Sequence, residues 1–388
     1  MPEPVITELR KFVAPEFLFG LDARLQVGRY ARTLGARRAL LVSDPGVEAA
    51  GWTGETAALL EAEGVEVAAF LEVSPNPRDH QVMAGAERYL ETGSDLIVAV
   101  GGGSPMDCAK GIGIVVANGG HVLDYEGVDR VRVPMPPLIC VPTTAGSSAD
   151  VSQFAIITDV AEHVKIAIVS KAVVPDVALI DPRTLVTLDP YLTACTGLDA
   201  LVHAIEAYVS NAHSPITDVH AEEAIRLAAL HLRASVEAPG DLELRTRIMQ
   251  ASLQAGLAFS NASLGAVHAM AHSLGGFKDL PHGECNALLL PHVVGYNFPA
   301  APERYRRVAA LVECPGADGP EPALRQALVR HLEALRAACG IRGGLGDRGV
   351  AVTDAVRLAA KAIDDPCNAT NPRAPSQGDL EALYREAL

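Results

Sequence analysis

The chain has 388 residues, of which 49% are apolar and 20% charged, and its formal net charge is −15. That length suits two domains of ordinary size with a large core, and the acidic balance argues against binding nucleic acid or an anionic membrane, both of which attract basic surfaces. No apolar run reaches the roughly eighteen residues of a membrane span, and the start "MPEPVITELRKF" lacks the apolar centre of a signal peptide, so a cytoplasmic location is expected.

Short aliphatic runs at 37–44, 65–73, 95–103, 136–144 and 177–182 are bounded by Gly, Pro or Asp and read as strands. Their nearly continuous apolar character fits strands buried on both faces of a parallel sheet. Segments 53–63 and 78–92 between them read as helices, giving the βαβ alternation of a doubly wound domain. Beyond about residue 184 the strand pattern stops. Helical periodicity follows over 191–210, 215–236, 241–259, 262–274, 302–313, 321–339, 352–363 and 379–387. Ser214 and Pro215 predict a helix start, with Ser as N-cap and Pro at the first helical position. Gly275 and Gly276 are expected to stop the helix before them. The predicted fold class is an α/β N-terminal domain (1–184) with a Rossmann-like parallel sheet and flanking helices, then an all-α C-terminal domain (185–388). The default ligand site is the cleft between them.

The seven cysteines are scattered and form no CxxC, so they read as reduced thiols. In "AVGGGSPMDCAKG" (99–111) a buried strand runs into three glycines and then a helix. Glycines let a phosphate approach the backbone, and a helix N-terminus favours an anion; a tight strand-to-helix turn is the plainer reading. Asp44 at the end of the first run suits a ribose contact in a dinucleotide fold, or simply an Asx turn. "PTTAGSSAD" (142–150) places Thr143, Thr144, Ser147 and Ser148 behind another strand, as cofactor contacts or a polar loop.

In "TGLDALVHAIEAYVS" (196–210) Asp199 and His203 are four apart and share a helix face. A buried carboxylate needs a partner, which a metal or a plain Asp–His hydrogen bond would supply. Glu206 lies near the same face as a decoy. His268 and His272 form a second such pair, and His282 sits in the turn "LPHGE". One carboxylate with two or three imidazoles suits a divalent first-row metal, zinc or iron(II) foremost. Spacing alone does not divide these histidines into ligands and bystanders. His220 and Asp218 are expected at the surface.

Nearly end to end, the chain resembles the iron-containing (group III) alcohol dehydrogenases. The stretches that carry the resemblance are "KFVAPEFLFG", "GGGSPMDCAKG", "PTTAG", "KIAIVSKAVVPDVALIDP", "GLDALVHAIEAYVS", "VHAMAHSLGGFKDLPHGECNALLLPHV" and "DDPCNATNPR". The nearest branch acts on short primary alcohols, diols and lactaldehyde-type substrates. The resemblance implies NAD-linked, reversible hydride transfer with the alcohol oxygen on the metal, iron(II) as that metal with zinc as the alternative, and a homodimer or larger homo-oligomer. By position it assigns Asp199, His203, His268 and His282 as metal ligands, and His272 as a non-ligand beside the nicotinamide. The released proton would leave by a relay, for which His272 is the candidate, histidine being the side chain that titrates nearest neutrality. Gly101, Gly102, Gly103 and Ser104 match the pyrophosphate loop, with Asp107 in the helix behind them. Asp44 matches the acid that favours NAD over NADP. Thr143, Thr144 and Ser147 match cofactor contacts, and Lys165 matches a lysine near the nicotinamide ribose. Two departures stand out: Ser148 where Gly or Ala is usual, and Asp22 where Gly is usual. A dehydroquinate-synthase-like lyase, a metallohydrolase and a catalytically silent binding protein are the competing readings.

Overall fold

The computed structural model describes Leu9 and residues 11–388. The N-terminal stretch read above for a signal peptide lies mostly outside them. In chain order the first part holds β1 (Glu16–Phe19), α1 (Val27–Thr33), β2 (Arg38–Val42), α2 (Pro45–Ala49), α3 (Trp52–Ala62), β3 (Glu66–Phe70), α4 (Asp79–Thr92), β4 (Leu96–Gly101), α5 (Gly103–Asn118), β5 (Gly127–Val128), β6 (Leu138–Pro142), β7 (Phe154–Asp159), β8 (Val164–Val169) and β9 (Val177–Ile180). The second part is helical: α6 (Pro190–Val209), α7 (Pro215–Glu237), α8 (Leu242–Ala262), α9 (Ala266–Lys278), α10 (His282–Asn297), α11 (Pro302–Leu311), α12 (Glu321–Ala338), α13 (Asp354–Ala362) and α14 (Gln377–Glu386).

Six parallel strands form the main sheet in the order β1-β9-β6-β4-β2-β3. As the continuous apolar runs predict, β4 and β6 are buried along their whole length. From β2 the chain steps outward to β3, then returns to the other side of β2 for β4 and continues through β6 to β9. The direction therefore reverses between β2 and β4, and the crevice beyond the C-terminal ends of those strands is where doubly wound folds bind ligands. Ser43 Oγ, just past β2, donates to the Val100 carbonyl at 2.7 Å and ties the two strand ends together. Apolar clusters cover both faces of the sheet, and a larger one fills the helical part.

The sequence pattern did not show β1, α1, α2, the three-stranded sheet β5-β8-β7, or α10. α10 carries Pro291 and is buried on every side, so it shows no one-sided apolar period. Burial of Leu288, Leu289 and Leu290, about 2 kcal/mol each, outweighs an interior proline's cost of about 3 kcal/mol. The Ser214 cap forms as expected, accepting from the Thr217 N–H.

The expected stop at Gly275–Gly276 is not there. α9 runs through both glycines and ends at Asp279, which is left-handed at φ 52°. The glycines serve close packing instead. A Cβ on Gly276 would lie 2.9 Å from the His163 carbonyl, in the turn between β7 and β8. Asp218 and His220 are not plain surface residues either: Asp218 accepts from Arg304 at 2.6 Å, and His220 Nδ1 lies 2.6 Å from Gln254 Oε1.

Candidate active site

The glycine turn sits at the crevice. Gly101 ends β4 at φ +151°, a conformation open to glycine, and Gly102 precedes the first turn of α5 with no side chain capping it. Cβ atoms on Gly102 and Gly103 would lie 3.0 Å from the Thr144 side chain and 2.9 Å from that of Ser147. The glycines thus let the 143–147 loop lie against the α5 N-terminus, whose free amides favour an anion. The Thr143 N–H donates to the Gly101 carbonyl at 2.8 Å. Ser104 Oγ accepts from the Asn76 N–H at 3.2 Å.

Asp44 caps α2. Its Oδ1 accepts from the Gly46 and Val47 amides at 2.8 and 2.9 Å. The Asx reading and the ribose reading are compatible, because the cap uses one oxygen. Asp107 lies one turn into α5, where burial pushes its carboxyl up to about 7 against the pull of Lys110, Lys165 and His272. Lys110 went unremarked in the sequence. It is fully buried and donates to the Ser152 and Phe154 carbonyls at 2.9 and 2.7 Å, binding α5 to β7. Lys165 on β8 is also buried, which lowers its pKa despite nearby Cys285 and Asp199, and its ammonium lies 3.1 Å from where a Gly275 Cβ would be.

Both departures from the family pattern have local causes. Ser148 turns away from the crevice, and its hydroxyl donates to the Ser252 carbonyl on α8 at 2.6 Å. Asp22 is left-handed (φ 67°, ψ 12°), which suits glycine but is open to aspartate. Its carboxylate meets Arg183 at 3.0 Å.

Deeper in, α6, α9 and α10 converge. Gly283 permits this, since a Cβ there would come 2.2 Å from the Cys195 carbonyl on α6. His282 is therefore the first residue of α10, not part of a turn. One donor atom from each of Asp199, His203, His268 and His282 falls within 4.8 Å of all the others. His268 Nε2 and His282 Nε2 lie 3.8 and 3.9 Å from Asp199 Oδ1. The His203 ring stacks on His268 at 4.5 Å between centroids and on Phe259 at 4.3 Å. Its Nδ1 faces the Gly146 carbonyl at 3.2 Å, which links this cluster to the 143–147 loop. Burial lowers His203 to about 4 and His268 to about 3, and takes His282 well below its ordinary value. All three imidazoles are therefore neutral at pH 7, each with a lone pair on one ring nitrogen.

Two further residues frame the cluster. Asn286 Nδ2 reaches Asp199 Oδ1 at 2.6 Å, His268 Nε2 at 3.0 Å and His282 Nε2 at 3.2 Å. Glu206, set aside above as a decoy, meets His268 Nδ1 at 2.5 Å. Helical spacing could have found Glu206, three residues from His203 on α6, but not Asn286, because α10 was not legible as a helix. His272 is turned elsewhere. Its Nδ1 lies 2.8 Å from Asp365 Oδ2, while its ring stacks on His282 at 5.3 Å. Burial would raise Asp365, but His272 and the Cys367 N–H outweigh it and hold the carboxylate low. No spacing rule pairs residues so far apart in the chain.

A parallel sheet with a glycine turn at its switch point, beside buried imidazoles and a carboxylate, suits an enzyme that uses a metal and a dinucleotide. Residues 14–182 match the profile described as iron-containing alcohol dehydrogenase, and residues 193–388 that of the Fe-containing alcohol dehydrogenase family, C-terminal. The chain is 41% identical over 374 residues to 1,3-propanediol dehydrogenase of Klebsiella pneumoniae, covering 95% of this chain and 96% of that one. It is 37% identical over 377 residues to NAD-dependent methanol dehydrogenase of Bacillus methanolicus, covering 97% and 99%. The crystal structure of a 1,3-propanediol oxidoreductase matches with a TM-score of 0.95 at 40% identity, over 98% of this chain and all of that one.

The chain belongs to the iron-containing alcohol dehydrogenase family. It is an alcohol dehydrogenase of the iron-containing type, and one of its relatives is named as NAD-dependent. The residues present fit a divalent ion: one carboxylate and three neutral imidazoles converge on one point.

Proposed function

We propose that the enzyme interconverts small primary alcohols or diols and their aldehydes in the cleft between residues 1–184 and 185–388. The single observation behind this is the convergence of four donors from Asp199, His203, His268 and His282, with His272 directed to Asp365 instead. Those four residues would hold the iron. Gly101 to Ser104 would carry the NAD pyrophosphate at the α5 N-terminus, flanked by Thr143, Thr144 and Ser147. The free Asp44 oxygen would accept from the adenosine ribose, and Lys165 would face the nicotinamide ribose, with Asp107 behind both. When bound, iron supplies Lewis acidity that favours loss of the substrate hydroxyl proton, and NAD takes the hydride.

His272 is the proton carrier in this reading. Asp365 accepts the Nδ1–H and leaves Nε2 free to take a proton. Two relatives named for 1,3-propanediol and methanol support small alcohols as substrates. Among the described residues the outer edge of β1 is unpaired, with Phe17 exposed, which supports a homodimer or larger assembly. Seven free, buried cysteines support a reducing, cytoplasmic setting. Among the described residues no helix is long and apolar enough to cross a membrane.

The test is a panel of primary alcohols, diols and aldehydes with NAD(H), on protein reconstituted separately with iron(II) and zinc. Stoichiometric NADH from a small alcohol or diol is expected. NAD recycled without net reduction would indicate a lyase instead.

A further inference from the structure

Glu206 lies on α6 three residues past His203 and seven past Asp199, on the face that meets the start of α9. It is buried among the helices. Its two carboxylate oxygens have separate partners: Oε1 accepts from the Val267 N–H at 2.7 Å, and Oε2 meets His268 Nδ1 at 2.5 Å. The space for the carboxylate is made by Gly265, where a Cβ would come 2.9 Å from Oε1.

We propose that Glu206 is a positioning residue for the metal centre, holding His268 in the tautomer with its proton on Nδ1 and its Nε2 lone pair facing Asp199 and His282. This rests on the reading of His268 as a ligand. Asn286 Nδ2 donates toward His268 Nε2 at 3.0 Å, so Nε2 is the acceptor and Nδ1 carries the proton that Glu206 accepts. That Nε2 is also the nitrogen 3.8 Å from Asp199 Oδ1. The Val267 amide fixes the carboxylate from the opposite side, so the ring cannot turn without breaking that pair. Such a carboxylate behind an imidazole also raises the basicity of the ligating nitrogen. Capping α9 is not the whole of the role, because Asn371 Oδ1 already takes the Ala266 N–H at 3.1 Å.

The isosteric change Glu206→Gln separates the roles. A glutamine presents one oxygen and one NH2. If the oxygen keeps Val267, the NH2 faces His268 and drives its proton to Nε2, where a metal would bind. If the oxygen keeps His268, two N–H groups face each other at Val267.

The readouts are zinc affinity by chelator competition and the thermal midpoint of metal-free protein. Glu206→Gln is expected to weaken zinc binding about 10- to 100-fold. Glu206→Asp, which retains an anionic acceptor one methylene short, should lose less, about three- to tenfold. Asn371→Ala should lower the midpoint while zinc affinity stays within about twofold, a change well below that expected for a ligand's partner. Wild-type affinity in Glu206→Gln, or equal losses in the Gln and Asp variants, overturns the proposal. If Glu206→Gln does not fold, Glu206→Asp decides: reduced affinity supports the assignment and wild-type affinity overturns it. His268→Ala is the reference; if it kept wild-type affinity, the ligand set itself would be wrong, a different failure from a silent Glu206→Gln.

Discussion

His272 Nδ1 and Asp365 Oδ2 are 2.8 Å apart, both largely shielded from water, although 93 residues separate them in the chain. The contact directs one nitrogen of His272 away from the four converging donors. It follows that His272→Ala should keep its metal but lose about 10²–10⁴-fold in kcat, the usual contribution of a positioned acid–base group. Asp365→Asn should also keep its metal and lose rate. Metal analysis beside kcat measurements checks both.

Asp44 serves as a helix cap, and the account gives its other oxygen to a ribose. Asp44→Gly mixes the two roles by removing the cap as well. Asp44→Ser keeps an acceptor for the Gly46 and Val47 amides while losing the charge that repels a 2′-phosphate. The serine variant should hold its thermal midpoint and raise the NADP to NAD ratio of kcat/KM by about tenfold, a 1.4 kcal/mol change. An unchanged ratio removes Asp44 from the ribose site.

Asp107 makes stability depend on pH. Burial raises its folded pKa from 3.8 to about 7. The stability from the neutral carboxyl is fully present below the unfolded value and is lost as pH rises through the folded one, between about 4 and 7. Asp107→Asn has no proton to lose. Its thermal midpoint relative to wild type should therefore improve from pH 5 to pH 8, read by calorimetry on metal-free protein at both pH values. A constant difference contradicts the assignment.

Gly283→Ala tests the packing that brings α10 to α6. The new methyl would meet the Cys195 carbonyl, which is backbone and cannot swing aside. Overpacking of this kind costs about 1–3 kcal/mol, and here it also moves His282 from Asp199. The variant should lose both thermal midpoint and metal affinity, measured by calorimetry and chelator competition.

Much of this fold was legible because strands such as β4 and β6 are buried on both faces and helices such as α4, α12 and α14 are one-sided. α10 was not, because a helix buried all round has no polar face to reveal its period, and Pro291 argued against it. The β7–β8 hairpin was lost among loops because β7 is only half-buried. Gly275 and Gly276 misled for a definite reason: glycine before a polar turn signals a helix end, but close approach to a hairpin demands the same residue. At the site, the pairs Asp199–His203 and His268–His272 stood out by spacing. That Glu206 backs His268 and Asp365 backs His272 depends on how α6, α9 and the 365–367 turn meet, which no local pattern encodes.

The central claim is that Asp199, His203, His268 and His282 hold the metal while His272 stays outside. Metal content per chain, measured side by side for wild type, Asp199→Ala, His268→Ala and His272→Ala after identical reconstitution with iron(II) or zinc, tests it most directly. The account predicts about one ion per chain in wild type and His272→Ala, and little or none in the other two. Full occupancy in His268→Ala, or its loss in His272→Ala, would contradict it.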